Sequence, residues 1–165
     1  MRAIFHTDNK WGIGKANDLM FHLPKDMKFF RETTKGKVVV MGYNTLLSFP
    51  GGKPLKDRIN IVLCPEDVME EVITVHSLGE LFAEVKKYPP EDVFVIGGAS
   101  VYSALLPYCT EALVTKVDAD GGAEVFVPDL DADENFTLVY ESEPQEDNGF
   151  TIRFCTFRNN HVEAY

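Results

Sequence analysis

Two short apolar runs, each closed by glycine, constrain the fold of this chain more than any other feature. Val38-Val39-Val40-Met41 ends at Gly42, and Val93-Phe94-Val95-Ile96 ends at Gly97-Gly98. Neither run alternates with polar residues. Each therefore reads as a strand with both faces covered, which is how strands sit inside a parallel sheet flanked by helices. Parallel neighbours need crossover connections, and helical segments lie where those crossovers would run.

In chain order, Ala3 to Thr7 predicts a first strand. A glycine loop, Trp11-Gly12-Ile13-Gly14, leads to Leu23-Pro24 and a helix from Pro24 to Lys35. Pro24 suits the first helical position, Asp26 in the first turn complements the helix dipole, and Gly36 offers a left-handed stop. A short helix is expected after Gly42, ending near Phe49-Pro50-Gly51-Gly52. Ile59 to Leu63 reads as a strand and Val72 to Val75 as a short one. Ser77 is a good N-cap for a helix from Leu78 to Lys87, and Pro89-Pro90 breaks it. After Val93 to Ile96 come a helix from Ala99 to Leu106 and a strand from Ala112 to Val117. Asp118 to Asn135 is acidic and turn-rich, and is expected as a long surface connection. Phe136 to Glu141 and Phe150 to about Thr156 complete the strands. The last is expected at the sheet edge, exposed on one side and antiparallel to its predecessor. The fold class is α/β: a mostly parallel central sheet with an antiparallel C-terminal edge strand, flanked by helices. Residues 1–158 are expected as one domain and 159–165 as a flexible tail.

Composition narrows the function. A length of 165 residues suits one core, and a net charge of −10 argues against nucleic acid as partner. An anionic ligand would need a local basic cluster rather than the global field. No apolar run is long enough to span a membrane, and Met1 to His6 lacks the apolar region of a signal peptide. Three widely spaced cysteines, Cys64, Cys109 and Cys155, suit reduced thiols in the cytoplasm. The histidines show no ligand spacing, and no metal is expected.

Asp26 is the candidate acid. Phe29 and Phe30 follow three and four residues on, so they share its helix face. An acid beside aromatics and next to a glycine loop could hold a flat heterocycle against a carboxylate. The competing reading is a helix-terminus charge alone. Gly97-Gly98-Ala99-Ser100 joins a strand to a helix and can present backbone N–H groups to a pyrophosphate. It is not GxGxxG, and a tight packing turn explains it equally well.

The run WGIGKANDLMFHLPKDMKFFRETTKGKVVVMG resembles the opening of dihydrofolate reductase. Thr45, Pro54-Leu55-Lys56-Asp57-Arg58-Ile59-Asn60-Ile61-Val62-Leu63, Val95-Ile96-Gly97-Gly98-Ala99-Ser100-Val101-Tyr102, Thr115-Lys116-Val117-Asp118 and Phe126-Val127-Pro128-Asp129 match the family in order. The resemblance reaches about Arg158. It implies an NADP-dependent oxidoreductase that moves a hydride from NADPH, with NADH possible, to dihydrofolate and adds a proton, giving tetrahydrofolate for one-carbon and thymidylate metabolism. Antifolates would be ligands, and the protein would be a cytoplasmic monomer.

Residue by residue, the resemblance makes Asp26 the one active-site carboxylate, bound to the pterin's amidine edge. A carboxylate beside Ile4, Phe5, Phe29 and Phe30 loses hydration, which disfavours its charged form. Phe30, Phe49, Leu55 and Ile96 would line the slot for the pterin and its aryl linker, and Arg58 would fork onto the glutamate α-carboxylate. Thr115 would anchor Asp26, Tyr102 would steady charge at the nicotinamide, and Phe21 would stand beside the pterin. The cofactor would meet Gly97, Gly98, Ala99, Ser100 and Val101 at its pyrophosphate. Ile13, Gly14, Asn17 and Leu19 would close over the nicotinamide beside the His6 backbone carbonyl. Gly42, Tyr43, Asn44, Thr45, Leu63, Cys64 and His76 would hold the rest. Trp11 to Phe21 would form a lid.

Several residues depart from the family's pattern. Tyr43, Asn44, Ser100 and Cys64-Pro65 stand where basic or hydroxyl residues are common around the adenosine 2′-phosphate. A weakened preference for NADPH is expected, with His76 as a substitute. Phe21 replaces a usual Trp, and Phe5-His6-Thr7 replaces small apolar residues, so altered affinity for diaminopyrimidines such as trimethoprim is expected. Two rival readings stand beside this one: a related pterin or pyrimidine reductase, and a non-catalytic nucleotide-binding module. Arg58 speaks against the first. The joint presence of Asp26, Thr115 and Tyr102 speaks against the second.

Overall fold

The computed structural model describes residues 1–16 and 18–165. Its elements are β1 (Arg2–Thr7), β2 (Gly12–Gly14), α1 (Pro24–Thr34), β3 (Val38–Gly42), α2 (Tyr43–Ser48), β4 (Ile59–Leu63), β5 (Ile73–Val75), α3 (Leu78–Val85), β6 (Val93–Gly97), α4 (Ala99–Leu105), β7 (Glu111–Val117), β8 (Val125–Phe126), β9 (Phe136–Glu141), β10 (Gln145–Asp147) and β11 (Phe150–Asn159). Among the described residues, one sheet of nine strands runs β10-β11-β7-β1-β6-β3-β4-β5, with β9 paired to β11. From β7 to β5 every pairing is parallel. The two apolar runs pair with each other as β3 and β6, near the middle, and Val38 to Met41 and Val93 to Val95 are buried. Continuous hydrophobicity marks these strands because helices cover both faces of the sheet.

One irregularity in the sheet places the cleft. β1 pairs with β7 along its whole length, Arg2 to Thr7, but with β6 only at Arg2 and Ala3. Past Ala3 the two central strands part. The Tyr102 hydroxyl of α4 donates to the Ile4 carbonyl at 2.8 Å, satisfying an acceptor that the ladder leaves free. A crevice of this kind, outside the carboxyl ends of parallel strands, is where ligands bind in open α/β sheets.

The mostly parallel sheet with an antiparallel C-terminal edge is as expected, with differences in detail. The antiparallel edge is built of three strands: β11 lies antiparallel between β7 on one side and its predecessors β9 and β10 on the other. Its first half is exposed on one side, at Thr151 and Arg153, while Ile152 is buried and Phe154 packs on Phe29 of α1 with ring centroids 4.9 Å apart; farther on Cys155 and Phe157 are buried as well, so the exposed side ends there. The acidic stretch 118–135 is more than a surface connection. Within it β8 pairs antiparallel with β2, and Val127 and Leu130 enter the core. The last residues also pack, for the Glu163 amide donates to the Pro107 carbonyl at 2.9 Å and Tyr165 stacks on Phe82 at 5.2 Å.

Cys109 is fully buried under this sheet, and burial pushes its thiol up to about 12 from an ordinary 9.0. The native state therefore prefers the protonated thiol. That contribution is complete below the unfolded thiol's value and is lost as pH rises through about 12. The urea midpoint is expected to fall between pH 8 and pH 11, and to fall less in Cys109→Ala than in the wild type. Equal falls, followed by circular dichroism, would count against this.

Candidate active site

Asp26 is held from three directions. Leu23, just before α1, gives no side-chain cap to the helix. The cap comes instead from Asp147 of β10, whose Oδ1 and Oδ2 accept the Lys25 and Asp26 amides, each at 3.1 Å. A carboxylate at a helix N-terminus satisfies orphan donors and complements the dipole. From β7, the Thr115 hydroxyl donates to Asp26 Oδ1 at 2.6 Å. From β1, His6 Nδ1 stands 3.2 Å from Asp26 Oδ2. The Asp26 side chain retains 14% exposure, so it can still reach a ligand.

The carboxylate opens into a cleft of about 1670 Å³ between the ends of β1, β3 and β6. Ile4, Phe5, His6, Ile13, Gly14, Leu19, Phe21, Phe30, Phe49, Leu55, Arg58 and Ile96 line it with Asp26. So do Gly42, Tyr43, Asn44, Thr45, Leu63, Gly97, Gly98, Ala99, Ser100, Val101 and Tyr102. Thr115 acts from behind Asp26. Cys64 and His76 lie outside this lining, and Asn17 lies outside the described residues. The His76 ring meets the Cys64 carbonyl at 2.9 Å and the Asp67 carboxylate at 3.0 Å. The hydrogen bond to that carbonyl, with Glu80 and Asp67 beside it, pushes His76 above its ordinary value.

At one end the cleft is built of glycine. Gly97 has φ 137° and its peptide bond to Gly98 is cis. A Cβ on Gly97 would come within 3.0 Å of Thr45 Oγ1, and one on Gly42 within 3.2 Å of Val101 Cγ2. The helices α2 and α4 start at Gly42 and Gly98 without side-chain caps, so their first amides are open to a ligand. A phosphate-bearing cofactor fits such a cradle.

At the other end Arg58 is braced rather than loose. Its Nε donates to Thr34 Oγ1 at 2.8 Å and its Nη1 to the Lys56 carbonyl at 3.0 Å, and the guanidinium lies 5.8 Å from the Phe30 ring centroid. Burial lowers its pKa from the ordinary value, yet arginine stays charged at neutral pH. Tyr102 is buried against Phe5 at 4.9 Å. Burial, the largest cause, pushes its phenol well above the usual range, so it serves as a neutral O–H donor. Phe21 is buried and meets Phe150 edge-on at 4.8 Å.

The glycine loop is tied to the acidic connection. Gly12 pairs with Phe126 and Gly14 with Val125, and the Ala16 amide donates to Glu124 Oε1 at 2.7 Å. Buried Asp8 gathers the Lys10 and Gly12 amides on Oδ1 at 2.9 and 2.8 Å and the Gly121 amide on Oδ2 at 3.1 Å. Sequence reading missed Asp8 and Asp147. An Asp before glycine-rich turns is a weak local signal for the first. The second has none, because its partners lie more than a hundred residues away. His6 was expected to act through its backbone, and its side chain instead meets the acid.

A family model described as dihydrofolate reductase matches residues 1–159. The chain is 35% identical over 162 residues to the dihydrofolate reductase of Bacillus subtilis, covering 96% of this chain and 94% of that one. It is 37% identical over 157 residues to that of Enterococcus faecium, covering 92% of each. Among solved structures it is similar to a dihydrofolate reductase from Enterococcus faecalis complexed with NADP(H) and RAB-propyl. The TM-score is 0.84 at 32% identity, covering 96% of this chain and 95% of that one.

Asp147 is 2% exposed, so removing its carboxylate leaves two helix amides without partners. Asp147→Ala is expected to lower the unfolding free energy by about 2 kcal/mol. Asp147→Asn, which keeps one acceptor, is expected to cost roughly half as much. Urea titration checks both, and a neutral Asp147→Ala would sink the capping role.

Proposed function

The chain belongs to the dihydrofolate reductase family, and we propose that Asp26 is the carboxylate through which it works. It is an NADP-dependent oxidoreductase that reduces dihydrofolate to tetrahydrofolate with NADPH, a step in one-carbon metabolism. The observation that carries the role of Asp26 is its setting. It is partly buried and bonded by Thr115 and His6, whereas the other carboxylates lining the cleft, Asp18 and Glu124, are exposed.

The pterin would lie between Phe30 on one side and Ile4, Phe5 and Phe21 on the other, with its amidine edge on Asp26. There the carboxylate accepts the edge's N–H donors and raises the basicity of the ring nitrogen that takes the proton. Thr115 fixes the carboxylate plane, and Asp147 fixes the first turn that carries it. Phe49 and Leu55 would border the aryl linker, and Arg58 would take the tail carboxylate through a charge-assisted fork. The open amides behind Gly42 and Gly98, with Thr45 and Ser100, would hold the cofactor's phosphates. When bound there, NADPH supplies the hydride. Tyr102 would sit close to the nicotinamide, its hydroxyl committed to the Ile4 carbonyl. Closure of the loop from Trp11 to Phe21 would exclude water. Diaminopyrimidine antifolates would use the same edge.

Asp26→Asn is expected to slow hydride transfer about 10²- to 10⁴-fold at neutral pH. Partial recovery is expected as pH falls toward substrate that is already protonated. Cofactor oxidation followed across pH checks this, and unchanged turnover would remove Asp26 from the mechanism. The adenosine end offers no lysine or arginine at Tyr43, Asn44, Cys64 or Ser100, and the nearby His76 is already paired with Asp67. Each missing charge-assisted contact is worth about 1.5–3 kcal/mol. Comparable kcat/KM with NADH and NADPH is therefore expected. An advantage for NADPH beyond roughly a hundredfold, or about 2.8 kcal/mol, would overturn it.

A further inference from the structure

The carboxylate that serves the reaction has a neighbour that the chemistry above leaves unused. His6 lies on β1 directly opposite Thr115 of β7. Alternation along β1 sends Ala3 and Phe5 to one face, where Phe5 meets Tyr102, and Ile4 and His6 to the other, under α1. His6 and Thr115 then converge on Asp26 and divide its two oxygens. Thr115 donates to Oδ1, and His6 Nδ1 faces Oδ2 at 3.2 Å.

The His6 side chain is only 6% exposed, and its second ring nitrogen, Nε2, is buried with no hydrogen-bond partner among the described residues. The Phe21 ring covers it with centroids 6.0 Å apart. This setting selects a tautomer. A proton on Nε2 would be a buried donor with nowhere to go, and the cationic ring would carry one there too. The tautomer with the proton on Nδ1 avoids that and points its N–H at the carboxylate. Few other titratable groups stand near the pair. Tyr102 is kept protonated by burial and donates to Ile4, Asp147 is engaged with the Lys25 and Asp26 amides, and His22, beside Phe21, is exposed.

We propose that His6 is a positioning residue of the reduction: it donates from Nδ1 to Oδ2 of Asp26, and with Thr115 it fixes the plane in which the carboxylate meets its ligand. The proposal rests on the reductase reading of the cleft. Each carboxylate oxygen accepts one protein donor and keeps lone-pair capacity for the pterin edge.

The test compares the wild type with His6→Ala and His6→Asn. The asparagine amide stands where Nδ1 stands and donates without titrating. The pH midpoint of single-turnover hydride transfer is expected to rise by about one unit in His6→Ala, because a donor to the charged form is lost. It is expected to stay within a few tenths of the wild type in His6→Asn. KM for dihydrofolate should rise several-fold in His6→Ala and recover in His6→Asn, with circular dichroism confirming that both fold. An unmoved midpoint in His6→Ala overturns the proposal. A midpoint in His6→Asn that follows His6→Ala also overturns it, since the ring would then act through its charge. Failure of the wild type itself to turn over dihydrofolate would end the reductase reading instead, a result distinct from either.

Discussion

Backbone groups that leave a sheet ladder must find other partners, and the parting of β1 from β6 is the place where this chain meets that requirement. Held together past Ala3, these strands would close the middle of the sheet and leave no room for a ligand. Held apart, they expose acceptors that water or side chains must satisfy. The Tyr102 hydroxyl takes the Ile4 carbonyl, and the same phenol packs on Phe5. The opening thus has its own internal prop. Everything assigned to the site is arranged about this gap: the acid reaches it from α1, the Gly97-Gly98 turn borders it from β6, and α2 opens toward it from β3.

Two buried aspartates support the walls without touching the proposed ligands. Asp8 binds amides from both the glycine loop and the acidic connection. Asp147 binds the amides that begin α1. In each case a carboxylate replaces missing backbone partners for a segment that belongs to no long ladder. β2 and β8 are too short to hold the loop alone, so the loop's geometry depends on Asp8 and on glycines that let the chains approach. A Cβ on Gly12 would fall 2.2 Å from that of Ala123. The loop that would cover the cofactor and the acidic stretch beneath it therefore form one packed unit.

How much of this was legible in the sequence follows from the range of each signal. Val38 to Met41 and Val93 to Ile96 declare buried strands because burial on both faces leaves no polar alternation. Pro24, Gly36 and Ser77 mark helix ends through local backbone chemistry, and the structure places those ends there. Gly97-Gly98 and Asp26 become specific through their order along the chain, which is what the family resemblance reads. β8 was missed because two exposed residues carry no periodicity. Where the exposed side of β11 ends was missed because Phe154 and Phe157 are both covered, by α1 and by Trp11 respectively, which blurs the alternation. The caps at Asp8 and Asp147 and the meeting of His6 with Asp26 depend on folding itself, since their partners are distant in sequence.

The remote cap on α1 also bears on how the protein is made. A ribosome releases Asp26 early, yet the acid's threonine partner lies 89 residues later and the carboxylate that caps its helix 121 residues later. β11, which joins β10 to the rest of the sheet, emerges last of all the strands. Once β6 has emerged, the nascent chain holds β3, β4 and β6 with their apolar side chains while the start of α1 is still uncapped. The Asp26 carboxylate is thus among the last features of the molecule to acquire its final surroundings, and a chain cut short before β10 would lack the cap on its helix.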